Sequence, residues 1–113
     1  SDESNDRLRV ETVDGGAFAA GKQVRVTATV WAWTTPTADH LDLYFAANAL
    51  SPTWTFIGTL TPTVAGSSTL TATYTLPAGN VQAVRARFRY QGTATACLAG
   101  AFDDHDDLVF AVQ

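Results

Sequence analysis

Gln23-Val24-Arg25-Val26-Thr27-Ala28-Thr29-Val30-Trp31-Ala32-Trp33 alternates apolar and polar residues along its whole length. A period of two belongs to a β-strand with one buried face, so Val24, Val26, Ala28, Val30 and Ala32 point one way and Arg25, Thr27, Thr29, Trp31 and Trp33 the other. The same period recurs at about Leu8 to Val13, Leu41 to Ala46, Thr53 to Leu60, Thr69 to Leu76, Val81 to Tyr90 and Leu108 to Val112. Turn-forming residues separate these runs, among them Asp14-Gly15-Gly16, Ser51-Pro52, Ala65-Gly66-Ser67 and Pro77-Ala78-Gly79-Asn80. No segment sustains a helical apolar period with a cap.

The reading is therefore all-β: a two-sheet antiparallel β-sandwich, immunoglobulin-like or jelly-roll, with about seven to eight strands. At 113 residues it forms a single domain, 1–113, with 1–5 the candidate for disorder. Core positions are Val26, Val30, Leu43, Phe45, Leu70, Tyr74, Val84 and Phe88, each on the apolar phase of its run. Trp54 and Phe56 share a phase with Leu60 and read as core, whereas Asp42 and Tyr44 read as outward.

Net charge is −4, which argues against nucleic acid, and no stretch nears the roughly 18 apolar residues of a membrane span. With Lys22 the only lysine and threonine abundant, the composition leans toward an exported, extracellular module. Cys97 has no second cysteine to pair with, leaving an inert buried thiol, a bystander, or half of a bridge to a partner elsewhere.

Three features could carry function. Trp31 and Trp33, two positions apart on the polar face, lie about 7 Å apart along a strand, a pitch suited to stacking on successive sugar rings or to packing under a loop. Tyr44 could extend that aromatic surface. Arg85, Arg87 and Arg89 alternate with the apolar residues of their strand; pairing with Asp42 or the C-terminal aspartates would account for them, and an unpaired stripe would recognise a carboxylated or sulfated polymer.

The third is Asp103-Asp104-His105-Asp106-Asp107, which places four of the eleven acidic residues in five positions. Their repulsion requires a structural calcium held by Asp103, Asp104, Asp106 and Asp107, an arginine–carboxylate network, or full solvation. Oxygens from Asp2, Glu3, Asn5 and Asp6 could complete an ion site if the first and last strands are neighbours. Zinc is disfavoured, because His105 is the only nitrogen ligand inside the run. Motifs for nucleophilic, metallopeptidase or phosphate-loop chemistry are missing, so the expectation is a nonenzymatic chain.

The segments VTATVWAW, LDLYFAANALSPTWTFIGTLTPT, LTATYTLPAGNVQAVRARFRYQG and DDHDDLVFAV resemble the C-terminal accessory β-sandwich modules of secreted bacterial hydrolases, both peptidases and polysaccharide-degrading enzymes. The likeness covers nearly the whole chain, with a looser similarity to carbohydrate-binding modules. It implies a noncatalytic module attached to the catalytic domain of a secreted enzyme. Together with the residues above, the expectation is a secreted, monomeric module that binds polysaccharide through Trp31, Trp33, Tyr44, Arg85, Arg87 and Arg89 and is stabilised by calcium. The alternative is a structural or protein-binding C-terminal domain of a secreted protease. The lone Cys97 departs from the pattern where such modules carry a bridge.

Overall fold

A computed structural model describes residues 4–32, 39–90 and 104–113. Trp33, Cys97 and Asp103 lie outside the described residues, as do the first three positions of the segment read as a candidate for disorder. Seven strands are described: β1 Ser4–Thr12, β2 Gln23–Ala32, β3 Asp39–Ala46, β4 Thr55–Leu60, β5 Gly66–Thr75, β6 Val81–Tyr90 and β7 Asp104–Ala111. They form a three-stranded sheet in the order β1-β2-β5 and a four-stranded sheet in the order β4-β3-β6-β7, every pairing antiparallel. The first, second and fifth strands thus face the third, fourth, sixth and seventh, the immunoglobulin-like plan rather than the jelly roll.

The core lies where the two apolar phases meet. Val24, Val26, Ala28 and Val30 of β2 oppose Leu41 and Leu43 of β3 and Val84, Ala86 and Phe88 of β6, all at 0 or 1% exposure. Leu8, Val10, Phe45, Leu70 and Phe110 are partly buried against this cluster. Strand alternation thus gives each sheet one dry face, and pairing of their backbones satisfies the peptide groups that the dry face cannot hydrate.

The connection from β5 to β6 crosses between the sheets and is held by one side chain. Gln82 is fully buried, and its Nε2 donates to the carbonyls of Pro77 at 2.8 Å and Gly79 at 3.0 Å. Gly79 has φ +153°, and a Cβ there would collide with the backbone carbonyl of Ala47. The glycine is required by this close approach.

Two sequence expectations change. The first strand begins at Ser4, inside the segment read as disordered, because its backbone pairs with β2 from Ser4↔Trp31 onward. The last strand begins at Asp104, not Leu108, because β6 extends far enough to pair with it, Phe88 with Asp104 and Arg85 with Asp107.

Tyr74 stacks on Phe45 with ring centroids 4.7 Å apart and planes 11° apart, and its hydroxyl is buried with no hydrogen-bond partner among the described residues. Burial raises its pKa well above the usual 10.0. The folded chain keeps this proton where the unfolded chain releases it, so the contribution to stability is complete below pH 10.0 and is lost as pH rises beyond it. Urea denaturation from about pH 9 to about pH 11 is expected to show a loss of stability in the parent that Tyr74→Phe does not share.

Candidate functional site

The residues nominated from sequence divide between opposite sides of the sandwich. Trp31 lies on the outer face of the three-stranded sheet, while Tyr44, Arg85, Arg87, Arg89 and Asp107 take the outward phase of the four-stranded sheet. One composite platform of Trp31 and Tyr44 is therefore excluded by the layer between them.

On the four-stranded sheet, side chains meet in cross-strand rows. Phe56, Tyr44, Arg85 and Asp107 form one row, and Thr59, Asp42 and Arg87 the next by register. A third begins with His40, whose Nδ1 lies 2.9 Å from the Thr61 hydroxyl. Asp42 is the hub. With no exposed surface, its Oδ1 accepts from the Thr59 hydroxyl at 2.6 Å and from Arg89 Nη2 at 3.2 Å, and its Oδ2 accepts from Arg89 Nε at 2.5 Å. Arg89 reaches it diagonally, from the row of His40.

Asp42 and Tyr44 do take the outward phase, yet both are buried, as are Arg87 at 3% and Arg89 at 8% exposure. Long guanidinium stems lying along a sheet cover their neighbours' polar atoms. These arginines are consequently structural groups, and a ligand has little access to Tyr44, Arg87 or Arg89.

Arg85 is the more accessible of the three. Its Nε and Nη2 grip Asp107 Oδ1 and Oδ2 at 2.7 and 2.8 Å, a bidentate pair, while its Cζ sits 4.4 Å from the centre of the Trp54 ring. Asp107 is thereby committed to an arginine. Of the other expected calcium ligands, Asp103 is outside the described residues, and Asp104 and Asp106 occupy register positions on the opposite phase from Asp107. Strand alternation thus separates the run that sequence places together, and no group of three or more metal-ligating side chains comes together among the described residues.

Trp54 and Phe56 are the residues that sequence reading assigned to the core. A bulge explains the difference: Leu43 pairs with Gly58 but Tyr44 pairs with Phe56, so Ile57 is the extra residue. Leu60 and Ile57 pack on the core, and the phase is reversed upstream, turning Phe56 outward at 51% exposure with its ring 5.5 Å from that of Tyr44. Gly58 inside a strand pattern was the available signal.

Trp31 is half-buried at the end of β2, where its ring lies 3.8 Å from the site of a Cβ on Gly66. Its Nε1 is buried with no hydrogen-bond partner among the described residues. It offers a partial ring face, flanked by Thr29 and Ser67.

Removing the Asp42 carboxylate leaves a buried guanidinium without its counter-charge. Asp42→Ala is expected to cost about 3 to 5 kcal/mol in urea denaturation. Among known proteins, no family model, curated protein or solved structure matches the chain.

Proposed function

We propose that the chain is a noncatalytic module that binds polysaccharide for an attached secreted enzyme, through the outer face of its four-stranded sheet. The observation that supports this reading is Phe56, 51% exposed beside Tyr44, in the row that ends in the Arg85–Asp107 pair. Sugar rings combine apolar C–H faces with hydroxyl rims. An exposed aromatic suits the faces, and a fixed guanidinium and carboxylate suit the rims.

The electrostatics favour a neutral polymer over the carboxylated or sulfated one that a bare arginine stripe would select. Arg85 is matched by Asp107 and Arg89 by Asp42, so an acidic sugar would have to compete with carboxylates already in place. Affinity is modest in this reading, because a flat surface orders a flexible polymer for little buried area. The enclosed Nε1 of Trp31 favours the alternative, a structural or protein-binding domain of a secreted protease, for the opposite face.

Pull-down on a panel of neutral and acidic polysaccharides tests the proposal. Phe56→Ala is expected to weaken binding to a neutral polymer about tenfold or more, a loss of about 1.4 kcal/mol, with nearly unchanged melting temperature. A parent chain that binds nothing in the panel would leave the structural alternative.

Calcium belongs to the proposal as a stabiliser held at Asp106 of β7. Strand β1 packs against β7, so an ion there would tie the two sheets at one side of the sandwich. Free calcium at about 100 times its dissociation constant adds about 2.7 kcal/mol. Thermal melts are expected to shift upward when calcium is added to chelator-treated protein, and less in Asp106→Asn.

A further inference from the structure

The four sheet edges are not alike. On β1, Arg7, Arg9 and Glu11 place charges on the outer face, and the register shifts between Asn5 and Arg7. Strand β4 is six residues long, bulged at Ile57 and flanked by Pro52 and Pro62. Strand β7 opens with Asp104-His105-Asp106-Asp107. Charges, bulges, prolines and shortness are the devices that stop sheet edges from pairing with other chains. Strand β5, Gly66-Ser67-Ser68-Thr69-Leu70-Thr71-Ala72-Thr73-Tyr74-Thr75, has none of them, and its register with β2 is unbroken from Ala32↔Gly66 to Gln23↔Thr75.

Its backbone is also set for a partner. Leu76 donates its N–H to Lys22 and accepts at its carbonyl from Gly21, so the even-numbered residues of β5 turn their peptide groups toward β2. Ser67, Thr69, Thr71, Thr73 and Thr75 therefore direct N–H and C=O to the open side, where no strand pairs with them among the described residues. The apolar face runs out to the same edge: Leu70 and Ala72 are only half-buried, although their β2 partners Ala28 and Val26 are 0% exposed. Among the described residues, three strands face four, which leaves one strand position open.

We infer that β5 is a pairing edge for a second copy of this chain, two β5 strands running antiparallel about a two-fold axis at Thr71 and joining two three-stranded sheets into one. This goes beyond the polysaccharide reading and replaces the expectation of a monomer. The occupant follows from self-complementarity. With Thr71 opposite Thr71, Thr69 meets Thr73 and Ser67 meets Thr75 outside, while on the inner face Leu70 meets Ala72 and Ser68 meets Tyr74, so hydroxyls face hydroxyls and apolar groups face apolar groups. No like charges oppose each other, and an isologous pairing closes at two copies.

Sedimentation equilibrium of the 113-residue chain from about 1 μM to about 1 mM is expected to show a species of twice the 12.0 kDa chain mass. Thr71→Lys sets like charges at the axis and Thr71→Pro removes an outward N–H; both are expected to be monomeric at the same concentrations with unchanged far-UV circular dichroism. Thr71→Cys in a Cys97→Ser background is expected to form a disulfide-linked dimer, because residues opposite one another at such a pair lie about 5.5 Å apart. Leu50→Cys, 86% exposed and remote from the edge in sequence, is the control that should not cross-link. A parent that stays monomeric throughout, a dimer that survives both Thr71 substitutions, or cross-linking no better through Thr71→Cys than through Leu50→Cys would overturn the inference; if the Thr71 variants fail to fold, the cross-linking comparison decides.

Discussion

A carboxylate without exposed surface sits on the outer face of the four-stranded sheet, and the strands around it are arranged to satisfy it. Asp42 on β3 takes a hydroxyl from β4 through Thr59 and a guanidinium from β6 through Arg89. Three strands are thus tied at one side chain. Buried ion pairs contribute little net stability against well-packed apolar groups, but they punish the wrong arrangement severely. A one-residue slip of β3 would carry Asp42 into the apolar layer and Leu41 or Leu43 out of it. The pair therefore enforces register in the sheet that carries the proposed binding surface.

The two outer faces consequently have different characters. Beside the charged residues of β1, the three-stranded sheet presents Thr27, Thr29, Thr69, Thr71, Thr73 and Thr75, short side chains that do not roof the strands. The four-stranded sheet presents arginines long enough to roof their own neighbours, so its outward phase is partly dry. Aromatic surface emerges from that roof only where the β4 bulge turns Phe56 outward.

Strict alternation made most of the fold readable from sequence. Strand β2 carries it from Val24 to Val30, β3 from Leu41 to Phe45 and β6 from Val84 to Phe88, and the inward positions of these runs fill the core. Arginine pairing was also legible as an alternative, since Asp42 and the closing aspartates were the available counter-charges. What escaped the pattern was anything set by an irregularity or by distant partners. A period of two cannot register an extra residue, so Trp54 and Phe56 were assigned to the wrong face. Nor can it tell how far a strand extends into charged sequence. The run Asp104 to Asp107 is in β7 because Arg85 on β6 meets it, a fact that belongs to another strand. Membership of Trp31 and Tyr44 in different sheets depends on topology, which neighbouring residues do not encode.

The ion pair between Asp42 and Arg89 spans 47 positions of chain, and β2 finds its second neighbour only after β3 and β4 have left for the other sheet. Neither sheet is assembled from consecutive strands alone. Its chain entropy must be surrendered before the distant pairings repay it, which places such all-β sandwiches among the slower folders, on a scale of about milliseconds to seconds. The tie across β3, β4 and β6 then has a kinetic meaning: it cannot form in a hairpin, so it marks the moment when the separate halves of the chain commit to one topology.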